Sequence, residues 1–188
     1  MDNTKKTLLK DALKYGVILG LIAIIVAILV YVFDLVTISL WSGAIIGLLN
    51  VVIYFITILI LMKSYRDKVL GGFMKYGRGL IFGIIIGAYS AILVAGFNYI
   101  LNGIIDPDYQ KNTMEKVSSM TVDYMYGAGV SDEMIEQTIE RFEKREIPSA
   151  IKSAVIAIPG TIIFSFIVSL IAAAFAKRNK DPYEAAME

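Results

Sequence analysis

This 188-residue sequence contains neither cysteine nor histidine. Disulfides, thiolate chemistry, Cys/His metal sites and a histidine general base are therefore excluded. Carboxylates are what remains for proton or metal chemistry, and Asp106, Asp108, Asp132, Glu133 and Glu136 gather in one stretch. Paired acids can move protons or hold calcium. These five lack the alternating spacing of a calcium loop, and they sit where helices favour an acid at their start. Capping and solvation account for them. No residue is assigned as catalytic, cofactor-binding or metal-binding, and the chain is expected to be non-enzymatic and without a cofactor. The Gly71-Gly72 pair is not a phosphate loop, because no Gly-Lys-Ser/Thr follows. A net charge of +1 argues against nucleic acid as a partner.

Three other patterns carry physical meaning. Small residues recur at every fourth position in Gly79, Gly83, Gly87, Ala91 and Ala95, again in Ser39, Gly43 and Gly47, and in Gly16 and Gly20. Such rows let helix backbones approach closely. They read as packing within the chain, with a seam between copies of a homo-oligomer as the alternative. Polar side chains form a second pattern, since Asn50, Ser90 and Ser165 each fall near the middle of an apolar block. If the second and third blocks pair antiparallel, Asn50 faces Ser90 and Tyr54 faces Gly87. Such pairs read as interhelical glue of about 1 kcal/mol each, with a small-solute binding site as the alternative. The third pattern is the stretch Tyr65–Gly77, where basic and aromatic residues alternate with apolar ones. It reads as anchoring beside anionic lipid, or more sharply as a docking loop for a cytoplasmic partner.

The elements that position these residues follow from hydropathy. Hydrophobic residues make up 57% of the chain, and they lie in four blocks, Tyr15–Phe33, Leu40–Met62, Gly79–Leu101 and Ser153–Ala176. Each has the ~20 residues needed to cross a hydrocarbon core. Backbone groups in lipid must bond internally, so the blocks are expected to be helices. The fold class is therefore an all-α integral membrane protein, one membrane domain over residues 1–188 with the lipid bilayer as its first partner.

Orientation follows from the basic residues. Lys5, Lys6, Lys10 and Lys14 precede the first span. The second connection carries Lys63, Arg66, Lys68, Lys75 and Arg78, and Lys177, Arg178 and Lys180 follow the fourth span. The positive-inside rule places these three regions, and hence both termini, in the cytoplasm.

The third connection, residues 102–152, is acidic, with ten Asp/Glu against six Lys/Arg, and is expected outside. It reads as a two-helix hairpin. Asp106-Pro107 resembles a cap followed by a first-turn proline, so one helix is expected over Pro107–Tyr126. Ser131 opens a second over Asp132–Glu146, and Pro148 ends it. Met114, Val117, Met120, Ile135, Ile139 and Phe142 form its apolar stripe and the candidate partner surface.

Two further blocks carry a family resemblance. Tyr65-Arg66-Asp67 is followed by Gly71-Gly72 and Tyr76-Gly77, and Phe97-Asn98-Tyr99-Ile100 is followed by Ile105-Asp106-Pro107-Asp108. Both resemble a widespread bacterial family of small four-helix membrane proteins catalogued as a domain of unknown function. The resemblance implies a bacterial inner membrane with the hairpin in the periplasm, and it supplies no activity or site residue. The functional expectation is an assembly or interaction component of the envelope, meeting a protein partner through the hairpin. The alternative is a subunit of an oligomeric small-solute channel or transporter.

Overall fold

The computed structural model describes residues 2–179; Lys180 lies outside them. Six α-helices follow in order: α1 Asp2–Val32, α2 Ser42–Val69, α3 Tyr76–Ile100, α4 Tyr109–Gly127, α5 Asp132–Glu143 and α6 Ala150–Ala176. A 3-10 turn, Leu35–Thr37, joins α1 to α2, and a π-helical turn, Leu101–Ile105, extends α3. Among the described residues there is no strand, only an isolated bridge between Met74 and Arg178. Four segments are long and apolar enough to cross a membrane: Leu8–Val32, Ser42–Val69, Tyr76–Ile105 and Ala150–Ala176. The protein is an all-α, multi-pass membrane protein.

The spans outrun their uncharged blocks. α2 continues through Lys63, Arg66 and Lys68 to Val69, because long basic side chains keep their stems apolar and their heads polar. Arg66 also has a structural use there. Its guanidinium donates to the Ala176 carbonyl at 2.9 Å, where the last carbonyls of α6 lack helical partners. The same group holds Asp67 in a two-point ion pair at 2.7 and 3.0 Å.

Helix α3 is the centre of the bundle, with α1 on one side and α6 on the other. Gly16 and Gly20 of α1 meet Tyr89 and Leu93 of α3, so those two helices run parallel. Gly79, Gly83 and Gly87 meet Ala173, Ser169 and Ser165, so α3 and α6 run antiparallel. Helix α2 lies mainly against α6 and touches α3 little. The second and third spans do run antiparallel and touch where Tyr65 lies on Phe82, but the close partner of α3 is α6, whose small side chains fill its glycine row. The starts of α1 and α3 and the end of α6 share one end of the bundle, called here the termini end. α4 and α5 occupy the other, the hairpin end.

Packing is uneven between the ends. Toward the termini end, Tyr65 stacks on Phe82 with centroids 4.0 Å apart. Tyr15 sits edge-on to both, at 5.9 and 5.5 Å, the offset geometry that aromatic quadrupoles favour. Leu19, Ile58, Met62 and Ile86 complete this buried core. Toward the hairpin end, α2 stands nearly free. Leu48 is 67% exposed, whereas Ile58 and Met62 are fully buried.

Candidate functional site

The small-residue row of α3 is a packed interface inside the chain. Gly79, Gly83, Gly87 and Ala91 are buried. A Cβ added at Gly83 would overlap the Ser169 hydroxyl and the end of Met62, and one at Gly87 would overlap Ser165. Gly43 and Gly47 share the spacing but not the environment. Gly43 has only Val36 within reach at 3.8 Å, and Gly47 has nothing within 4 Å. The packing role expected for these two is therefore not found within the chain; the reason is that their face of α2 has no helix within reach.

The expected polar layer divides likewise. Ser165 hydrogen-bonds Tyr54 at 2.6 Å. Its own proton goes to the Thr161 carbonyl at 2.7 Å, so the Tyr54 hydroxyl is the donor. That hydroxyl lies 3.7 Å from where a Gly87 Cβ would stand, as the antiparallel register of the sequence anticipates. Ser90 is fully buried, and its hydroxyl has no hydrogen-bond partner among the described residues. Asn50 is exposed and turns its amide back to the Ile46 carbonyl at 3.2 Å. Asn50 and Ser90 therefore do not meet.

The hairpin is fastened to the bundle by α4. At its start the Tyr31 hydroxyl donates to Asp106 at 3.3 Å, and the Tyr31 ring meets Tyr109 edge-on at 5.0 Å. Further along, Lys116 donates to Asp34 at 2.6 Å. Near its end Tyr124 meets Trp41 edge-on at 6.5 Å. Tyr31, Asp34, Asp106, Tyr109 and Lys116 border a polar cavity of about 300 Å³. Asp106 does not cap α4 as expected. The residue before the helix is Asp108, without a side-chain cap bond, and the Asp106 carboxylate is occupied by Tyr31. Asp34 adopts a left-handed conformation, φ 46°, which a short polar side chain tolerates better than most.

Lys116, and then Thr37, hold the Asp34 carboxyl below its ordinary range. Burial raises the Tyr109 phenol. Because the folded Asp34 titrates below its unfolded value, its contribution is complete above the ordinary carboxylate range. It is lost as pH falls through the lowered value. Both partners are about half exposed, so the pair contributes at most ~1 kcal/mol. Lys116→Met should therefore speed amide hydrogen exchange in α4 by up to about fivefold at neutral pH. In acid the variant and the parent should converge. Equal exchange at neutral pH would mean that Tyr31 and Trp41 alone hold the hairpin.

Helix α5 closes against α4 through Ile135, which is 1% exposed. Ile135 is thus removed from the expected partner surface, since it is spent on joining the two helices. Its neighbours on the stripe are half-buried. Met114 and Phe142 line two adjoining clefts of about 490 and 340 Å³, and Val117 lines the second. Met120 and Ile139 lie outside both linings. The opposite wall is the segment after α5, with Arg145 and Ile147. Sequence reasoning continued the helix to Glu146 and missed this wall; α5 ends at Glu143. Ile147 directly before Pro148 is the available signal, an apolar residue where a helix must already have stopped.

Compared with curated proteins and with solved structures, the chain matches none at a significant level. A family match covers residues 14–178, from the start of the aromatic core to the Met74–Arg178 bridge. The chain belongs to the family described as "Protein of unknown function (DUF4199)".

Proposed function

We propose that this protein is a non-enzymatic assembly or interaction component of the bacterial envelope. It sits in the inner membrane with both termini in the cytoplasm, and its periplasmic hairpin docks an apolar segment of a partner protein. One observation carries this reading, the open pair of clefts between α4 and the segment after α5. Met114, Val117 and Phe142 line them, together with charged residues including Lys111, Glu115 and Arg145. An apolar centre within a polar rim is the anatomy of a protein docking site, and methionine adapts its shape to its occupant. The anchors on Tyr31, Asp34 and Trp41 hold the clefts in a fixed pose, which reduces the ordering cost of binding.

The test is photo-crosslinking in native membranes from Val122 and Ile147, which line the clefts, and from Glu133, which does not. A protein adduct confined to the first two positions supports the reading, provided that filling the cleft with Ser118→Trp weakens it about tenfold, as for loss of ~1.4 kcal/mol. Identical adducts from Glu133 would overturn it. An adduct of twice the chain mass would replace the envelope partner by a second copy.

The alternative of an oligomeric channel or transporter subunit draws on α2. Gly43, Gly47 and Asn50 are all exposed there, and Asn50 borders a crevice of only about 20 Å³ against α1. A conducting path on this reading would form between copies.

A further inference from the structure

The termini end holds a second cleft, of about 590 Å³, and it is basic. Lys75, Arg78 and Arg178 line it together with the apolar Leu70 and Met74. No carboxylate contributes to the lining, and none of the three cations has an ion pair among the described residues. Asp67, near the same end of α2, is already engaged at two points by Arg66.

Backbone geometry fixes the cations in place. Gly71 and Gly72 take positive φ, 68° and 90°, which turns the chain sharply after α2. Met74 then exchanges two backbone hydrogen bonds with Arg178, at 2.9 and 3.0 Å, bringing the end of α6 beside the start of α3. The Arg178 guanidinium lies over the Phe73 ring, 5.8 Å from its centroid. Lys75 and Arg78 flank the first turn of α3, a helix with no side-chain cap and no acid in that turn. The helix dipole there adds to the positive potential of the side chains.

The cleft also lies at a definite depth. α2 ends at Val69, α3 begins at Tyr76 and α6 ends at Ala176. All three are ends of apolar spans, so the cleft sits at the level where headgroups meet hydrocarbon, and its lining combines the cations with Leu70 and Met74. We propose that this cleft binds the phosphate of an anionic phospholipid headgroup, with its glycerol against Leu70 and Met74. Basic pockets between spans suit such headgroups, and arginine meets phosphate oxygens in pairs.

The test uses the full-length protein reconstituted in phosphatidylcholine vesicles. Spin-labelled phosphatidylglycerol and spin-labelled phosphatidylcholine serve as probes of immobilised lipid. The expected result is a saturable immobilised component for phosphatidylglycerol only. Arg78→Gln and Arg178→Gln should each weaken it about fivefold, as for loss of one contact of about 1 kcal/mol to the phosphate, and Arg78→Lys should keep the charge but only part of the binding. Lys68→Gln removes a charge from the same end without touching the cleft, and should change binding less than twofold. Equal losses for Lys68→Gln and Arg78→Gln would replace the site by a diffuse basic surface. Full displacement by inorganic phosphate would reassign it to a soluble anion. No preference for phosphatidylglycerol would overturn the proposal outright.

Discussion

Replacing Gly87 or Gly83 by leucine is expected to leave no folded bundle. The row formed by Gly79, Gly83 and Gly87 receives Ala173, Ser169 and Ser165 so closely that even one added carbon meets them. At Gly83 it would stand 2.8 Å from the Ser169 Cβ, with the Ser169 hydroxyl and Met62 closer still. Gly83→Ala should therefore cost roughly 1–3 kcal/mol, the usual penalty of overpacking. Leucine adds three more carbons in the same space and should exceed the few kcal/mol of margin that a domain carries. The opposite sign is expected at Gly47, where nothing lies within 4 Å. Gly47→Ala should be neutral, or stabilising by up to ~1 kcal/mol, because alanine restricts the unfolded chain and favours helix. Melting in detergent, followed by size exclusion, measures both. Equal melting of Gly83→Ala and the parent would break the proposed contact of α3 with α6. A lost oligomer in Gly47→Ala, with an unchanged monomer, would show that α2 is the seam between copies.

Labelling from one side of the membrane should give an all-or-none result. The positive-inside rule rests here on Lys10, Lys14, Lys63, Arg66, Lys68, Lys75, Arg78, Lys177 and Arg178, which all fall toward the termini end. A single cysteine in place of Ala128, in the exposed turn between α4 and α5, should react with a membrane-impermeant maleimide in spheroplasts of a bacterial host. One in place of Lys68, exposed near the end of α2, should react only after lysis. With no native cysteine, the background is zero. The reversed pattern would turn the protein over, and with it the assignment of the hairpin to the periplasm.

The spans were legible because lipid demands length and apolarity, and both are written locally. Their partners were not. Gly43-Gly47 and Gly83-Gly87 have the same spacing, yet one pair is exposed and the other is closed by α6. A glycine offers room without specifying what fills it. The depth of Asn50 in the second block sets it opposite Ser90, but an amide within a helix can also bond its own preceding turn, as it does with Ile46. Asp106-Pro107 matched a helix start by pattern, yet Tyr31, 75 residues away, took the carboxylate. In the hairpin, Met114 and Phe142 were legible from helical spacing. The wall they face was not, because it is an irregular segment that no period predicts.

The pairing of α2 with α6 bears on how the protein is made. Tyr54 and Ser165 stand 111 residues apart in the chain. At ~5–20 residues per second, translation takes roughly 5–20 s to cover that distance. The parallel contact of α1 with α3 becomes available as soon as α3 emerges, well before the hairpin and α6 exist. During the interval α2 must wait in the bilayer with Tyr54 lacking Ser165 and Arg66 lacking the Ala176 carbonyl. The insertion machinery, or a chaperone beside it, then has a defined client: a nascent chain with three helices inserted and the α6 side of its second helix still uncovered.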